Sequence, residues 1–482
     1  MKHLTIFAAL LFAPLATSHS AATENRGGTT AERKPNIVFI LADDMRPDCI
    51  GALGHTVVKT PHLDALVRDG FAFTRAVAAY PICHVSRAEI LTGVPAFRNG
   101  VHYRGKVIDP ALKTWATTLH DAGWRTLYSG KWHNDGTPLK RGYDETRGLY
   151  SSGGGPKGST LMRDHAGREA TGYTGWTFKT NEGTAQLEKG VGLTPDTDAF
   201  IGDAAVDLIR QKREQPFFLH VNFTAPHDPR ILPRGFEKAY APAQIPLPPS
   251  FRPQHPFDHG NLDGRDERLL PKPLQEDELR AELAAYYACI SQVDAQVGRI
   301  VAALRESGQL ERTVIIFSSD QGFALGSHGL LGKQNLYEHT FRVPFIFSGP
   351  GIPRGQRSTA DCYLRDVFPT TCELGGVPIP ATVESRSLAP LLRGGTQPVY
   401  DFVTGYFTDT QRGIRQGEWK LIRYPAIDKT QLFNLHRDPD ELHDLSALPE
   451  HAATLARLRK ALDGWLAAQG DPLAQRTDPL KK

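Results

Sequence analysis

Cysteine and methionine are scarce in this chain, five and three among 482 residues. An odd cysteine count argues against a closed disulfide framework and leaves at least one thiol with separate work. The five are Cys49, Cys83, Cys289, Cys362 and Cys372; whether Cys362 pairs with Cys372 is left open by their spacing. An excess of one charge is also missing, with 56 Lys and Arg against 53 Asp and Glu. A net charge of +3 with a pI near 8.5 is too balanced for nucleic-acid binding, so any attraction for anions is local to a site. Long apolar runs are lacking as well. Leu4–Ala16 is too short to span a bilayer and no later run is long enough, which argues against an integral membrane protein.

The ends of that run carry information. Met1-Lys2-His3 precedes it, and the small residues Ala16-Thr17-Ser18 and Ser20-Ala21-Ala22 follow. This is the form of a secretory signal peptide over residues 1–22, with a polar, Gly/Thr-rich disordered leader over 23–33. The expected location is periplasmic or extracellular; an uncleaved anchor is the alternative.

Apolar, β-branched runs then alternate with helical patterns, which predicts an α/β fold with a large, mostly parallel central sheet flanked by helices. The predicted strands are Asn36–Leu41, Arg125–Ser129, Phe217–Phe223, Thr313–Ser319 and Val343–Ser348, each nearly continuous in apolar residues, as expected for strands covered on both faces. Predicted helices are Thr60–Asp69, Thr197–Lys212 and Glu278–Ser307; in the last, Leu283, Tyr286, Tyr287, Ile290, Val293, Val297, Ile300 and Leu304 recur at helical spacing. The pattern changes near Pro398. Phe402–Phe407, Gly413–Gln416, Trp419–Arg423 and Gln431–Leu435 read as short antiparallel strands, followed by a helix carrying Leu455, Leu458, Leu462 and Trp465. The expected division is a catalytic domain over 34–396 and a small C-terminal α+β subdomain over 397–482. Gly-rich 151–158 and Pro-rich 231–273 fit neither pattern and read as functional loops bordering a pocket.

Polar residues stand just beyond several predicted strands, where ligands bind in open α/β sheets. Asp43-Asp44 follows the first, Gly130-Lys131-Trp132-His133 the second and Ala225-Pro226-His227-Asp228 the third; Asp320-Gln321-Gly322, with Lys333 beyond, follows the fourth. Aspartates at such points also serve as helix N-caps. Three carboxylates and an amide, however, suit a single hard cation, Ca²⁺ or Mg²⁺, better than zinc.

The segment Cys83-His84-Val85-Ser86-Arg87, followed by Leu91-Thr92-Gly93, resembles the signature of the type I, formylglycine-dependent sulfatases of the alkaline phosphatase superfamily. Further resemblance lies in Thr60-Pro61-His62-Leu63-Asp64, in Gly326-x-His328-Gly329-x-x-Gly332-Lys333, in Arg342-Val343-Pro344 and in Asp438-Pro439, so that it covers residues 34 to 446. The resemblance implies that Cys83 is oxidised to formylglycine by a maturation enzyme and attacks sulfur as its hydrate, giving a covalent sulfate hemiacetal. It implies that Asp43, Asp44, Asp320 and Gln321 hold the cation, which also meets residue 83. Arg87 would steady the nucleophile, and Lys131 and Lys333 would neutralise sulfate oxygens. His227 would protonate the leaving alcohol, and His133 would take the proton that releases sulfate.

Two departures stand out. Val85 occupies a position where the family carries proline or alanine, within the recognition site of the maturation enzyme. Gln321 replaces the usual Asn or His, and its extra methylene shifts the ligand oxygen. The expected substrate is a sulfated carbohydrate, on a faint resemblance of Asp43-Asp44-x-Arg46-Pro47 to iduronate-2-sulfatase-like enzymes. Aryl or choline sulfates, phosphonate monoesters or phosphodiesters, and an inactive sulfatase-like binding protein are the alternatives.

Overall fold

The computed structural model describes residue 1 and residues 34–102, 105–156 and 162–473. The expected signal peptide and leader, beyond residue 1, and the end of the Gly-rich segment lie outside the described residues.

Strand β1 (Asn36–Ala42) is buried along its whole length. Its side chains alternate between two apolar cores, Ile37, Phe39 and Leu41 into one and Val38, Ile40 and Ala42 into the other. That is why the run reads as continuously apolar. The other strands of the sheet are β2 (Gly70–Phe73), β3 (Arg125–Trp132), β4 (Glu145–Ser151), β5 (Thr177–Lys179), β6 (Phe217–Asn222), β7 (Thr313–Ser319), β8 (Phe345–Ser348) and β9 (Gln356–Ser358). Their order is β9-β2-β8-β7-β1-β6-β3-β4-β5. The middle five, β7 to β4, are mutually parallel. Antiparallel pairings appear toward the edges, at β7–β8, β8–β2 and β4–β5. Helices α1 (Pro61–Arg68), α3 (Thr197–Arg210) and α4 (Glu276–Glu306) contribute to one core, and α2 (Cys83–Thr92) to the other.

The predicted strands were located correctly, and Thr313–Ser319 was also bounded correctly, but the others were not. β8 starts at Phe345 rather than Val343, because Pro344 has no N–H to give the ladder. β3 runs on to Trp132, past a register shift between Ser129 and Gly130. Gly130 has φ +95°, and a Cβ there would lie 1.9 Å from the Asn222 carbonyl oxygen. Only glycine fits, and the bulge re-aims Lys131 and the residues after it. Strand β2 was missed altogether, its four residues being too short a run to separate from α1.

The C-terminal strands β10 (Val403–Phe407), β11 (Gln411–Gln416), β12 (Trp419–Tyr424) and β13 (Lys429–Asn434) form an antiparallel four-stranded sheet turning at Gly417, φ +59°. One face packs Ile414, Leu421 and Leu432 against Leu458, Leu462 and Leu466 of α5 (Ala452–Gln469). Each such leucine contributes roughly 1.5–3 kcal/mol by leaving water. The opposite face sends Tyr406, Ile422, Tyr424 and Phe433 into the core beneath the main sheet.

All five cysteines are buried free thiols, so Cys362 and Cys372 are not joined. Among the described residues no helix is long and apolar enough to cross a membrane.

Candidate active site

The carboxyl ends of β1 and β7 lie side by side, with Ala42 registered on Ser319, and this brings Asp43, Asp44 and Asp320 together. One oxygen from each lies within 4.8 Å of the others, and all three side chains are fully buried. Asp44 takes φ +69°, a conformation costly for a non-glycine residue. It is braced by the Tyr286 hydroxyl, which donates to the Asp44 carbonyl at 2.6 Å.

Cys83 is the first residue of α2 and faces this cluster. Its Sγ is 3.3 Å from Asp43 Oδ1, 3.3 Å from Gln321 Nε2 and 3.1 Å from Lys333 Nζ. Burial and the Asp43 carboxylate push the thiol well up, so as a bare cysteine it is not a thiolate nucleophile. One turn along, Arg87 donates from Nε to Asp320 Oδ2 at 2.9 Å and from a terminal nitrogen to Asn222 Oδ1 at 2.7 Å. Lys131 pairs with Asp43, and Lys333 reaches both oxygens of Asp44 at 3.0 and 2.8 Å.

The electrostatics suit a cation. Burial raises Asp44 to about 8, with Asp43 and Asp320 adding and Lys333 opposing. Burial, with Asp43, also raises Asp320 to about 6. Asp43 goes the other way: Lys131, His227, Arg87 and Lys333 overcome its burial and hold it well below the usual carboxylate range. Three carboxylates this close repel one another, and a divalent ion among them would relieve that repulsion further than the surrounding side-chain cations do. Gln321 directs Nε2 at Asp44 while its Oε1 is buried without a partner, an oxygen free to become a ligand. The donor set fits a hard divalent ion.

Both candidate proton carriers are present. His227 contacts the Asp228 carbonyl and, at 3.2 Å, the Asp228 carboxylate through Nδ1, and points Nε2 toward Asp44 Oδ2 at 3.6 Å. His133 lies edge-on to Trp176 at 5.2 Å, and its Nδ1 is buried without a partner. Burial lowers both imidazoles well below the ordinary histidine value. The other residues expected from the sequence meet around Asp43, Asp44 and Asp320, whereas His133 adjoins them through Trp176 and Tyr173.

Several residues at the site were not foreseen. Tyr173, held at φ +59°, donates its hydroxyl to Asp43, packs edge-on to His227 at 4.9 Å and lies 5.0 Å from the Lys131 ammonium. Asn222, the partner of Arg87, had a visible signal: it is an amide at the carboxyl end of a mostly apolar strand. Arg265 had none. It donates to Asp228 Oδ1 at 2.9 Å, behind His227. Nearby, Glu267 accepts from the backbone of Leu331 and Gly332 at 2.9 and 2.8 Å, fixing the turn that carries Lys333. The Pro-rich segment therefore supports two site residues from behind.

A carboxylate cluster at the switch point of a parallel sheet, rimmed by buried cations and two histidines, defines a hydrolase for anionic esters. The sulfatase family model matches residues 35–377, and the C-terminal model of N-sulphoglucosamine sulphohydrolase matches 326–467. Arylsulfatase from Clostridium perfringens is 29% identical over 463 residues, 89% of this chain and 94% of the relative. Among solved structures, a protein bound to its substrate D-glucosamine-2-N,6-O-disulfate superimposes with TM-score 0.74 at 22% identity, over 92% of this chain and 100% of that one. The phosphonate monoester hydrolase of Agrobacterium radiobacter gives 0.72 at 23%, over 90% and 96%. The chain belongs to the sulfatase family, hydrolases of sulfate esters.

Proposed function

We propose that Cys83, oxidised to formylglycine by a maturation enzyme, acts with one Ca²⁺ or Mg²⁺ ion to hydrolyse sulfate esters of carbohydrate outside the cytoplasm. The observation that carries this reading is the placement of Cys83 Sγ within 3.3 Å of Asp43, Gln321 and Lys333. When bound, the ion supplies Lewis acidity and the aldehyde hydrate supplies the attacking oxygen.

The chain's own residues do the rest. Asp43, Asp44, Asp320 and Gln321 hold the ion. Arg87, tied to Asp320 and Asn222, presents a fixed positive charge beside residue 83. Lys131 and Lys333 face sulfate oxygens and neutralise them as the ester bond stretches. His227, with Nδ1 engaged by Asp228, gives a proton from Nε2 to the leaving alcohol from its imidazolium form, which the negative charge of a bound sulfate ester favours; His133 takes the proton that lets sulfate depart. Arg87, Lys131 and Lys333 balance the three aspartates, so a divalent ion leaves a positive surplus that selects an anionic ester. Residues 34–396 form the catalytic domain in this reading, residues 397–482 the C-terminal subdomain, and residues 1–22 the export signal.

The test is mass spectrometry of the peptide carrying residue 83, from protein made in its own host. An aldehyde in place of the thiol is expected, and Cys83→Ala should abolish turnover while leaving the fold intact. Unmodified cysteine throughout, with Val85 blocking maturation, would make the chain an inactive binding protein. Exhaustive chelation should remove activity and Ca²⁺ or Mg²⁺ restore it; stoichiometric zinc would overturn the metal assignment. Faster turnover of an aryl phosphonate monoester than of an aryl sulfate would reassign the substrate class.

A further inference from the structure

A cleft of about 580 Å³ opens beside His133 and beside His84, the neighbour of Cys83. That volume is of the order that accommodates a drug-sized ligand, about 300–1,000 Å³. Its lining includes Trp132, Trp176 and Lys179, with Ser152 and Glu182 exposed.

Three features give the cleft a chemistry. Trp132 Nε1, His84 Nε2 and His133 Nδ1 are buried ring nitrogens without a hydrogen-bond partner, and Trp132 is only 5% exposed. Buried polar nitrogens are costly unless a ligand or water satisfies them, so these leave hydrogen-bonding capacity at the edge of the cleft. An aromatic wall is the second feature. It runs from His227 to Tyr173 (4.9 Å), on to Trp176 (4.9 Å) and then to His133 (5.2 Å), joining the proposed proton donor to the cleft. The third feature is charge. Lys179 donates to the Ser152 carbonyl at 2.7 Å, and Lys106 also lines the cleft. Asp135 is already paired with Arg141, which leaves Glu182 as the opposing charge and a net positive lining.

We propose that this cleft is an oligosaccharide subsite. It holds a non-reacting sugar that bears an acidic group, while the sulfate ester of the adjoining sugar lies at residue 83. The inference rests on the sulfatase reading and deepens it. Trp176 supplies an apolar ring face, the unpartnered nitrogens meet sugar hydroxyls, and Lys179 meets the acidic group.

The experiment compares the parent enzyme with Lys179→Ala and Ser152→Trp on 4-nitrophenyl sulfate and on a sulfated, uronate-containing tetrasaccharide. Losing a hydrogen bond to a charged group should lower kcat/KM for the tetrasaccharide about tenfold. Ser152→Trp, which fills the cleft, should do at least as much, and aryl sulfate turnover should stay within about twofold of the parent. An equal fall for both substrates, or no fall for the tetrasaccharide, overturns the subsite. Calorimetry with the Cys83→Ala protein separates this from the parent reading. Tetrasaccharide binding that Lys179→Ala weakens, with no ester turned over by the parent, would keep the cleft and discard the hydrolase. Turnover of aryl sulfate with no tetrasaccharide binding would discard the cleft and keep the hydrolase.

Discussion

His227 is gripped from behind, whereas His133 is left open. The Nδ1 of His227 is engaged by Asp228, Asp228 is engaged by Arg265, and the preceding turn is held by Asp198, which accepts from the backbone of Thr224 at 2.7 Å and Ala225 at 3.1 Å. His133 has an unpartnered Nδ1, aromatic neighbours and a cleft at its side. A proton donor to an alkoxide gains from a fixed ring, because misplacement costs rate steeply. A residue bordering an open cleft has a different constraint: its remaining hydrogen-bonding capacity is available to a ligand.

The largest effect should come from His227→Gln. Turnover of an alkyl or sugar sulfate is expected to fall by about 10²–10⁴, the range for general acid catalysis, while 4-nitrophenyl sulfate, whose leaving group needs no proton, falls far less. Equal losses on the two esters would mean that His227 is not the acid. Arg265→Ala should act through the same ring, lowering kcat on the sugar sulfate about tenfold with little change in KM, since small shifts of a catalytic group cost that much. Arg265→Lys should recover part of it, and failure of either variant to distinguish alkyl from aryl esters would break the supporting chain.

The smallest effect concerns stability. Burial raises Asp198 to about 6 despite the hydrogen bonds from Thr224 and Ala225. An acid whose folded pKa lies above its unfolded value of roughly 3.9 is penalised when it ionises in the fold, so its contribution weakens as pH rises from about 4 to 6. Asp198→Asn carries no such penalty. Its Tm deficit against the parent should therefore be larger at pH 4.5 than at pH 7, and a deficit that grows with pH would contradict the assignment.

Much of this was legible in the chain. β1 and β7 announced themselves because strands buried on both faces are apolar throughout, and the residues just past them then had to be ligands or caps. Asp43, Asp44, Asp320, Lys131 and His227 were found by that logic. The Pro-rich segment was expected to border the pocket, and Arg265 and Glu267 within it brace His227 and the Lys333 turn. Nothing local in sequence connects Arg265 with Asp228, because that pairing exists only once a long irregular loop has folded back. Tyr173 escaped notice for a similar reason. Its backbone conformation sets it over Asp43, and a tyrosine between glycines is otherwise unremarkable. The C-terminal strands were found from the change of pattern near Pro398, whereas the burial of their second face against the main core depends on contacts hundreds of residues apart.

The bulge at Gly130 has a consequence for how this gene tolerates change. The carbonyl that forbids a Cβ there belongs to Asn222, whose side chain holds Arg87. A single added methyl group would thus press on the strand that orients the guanidinium and would shift the ammonium of the very next residue, Lys131. Codon 130 encodes no reactive atom, yet it is a point at which the lineage can lose its chemistry while keeping every chemically active residue intact.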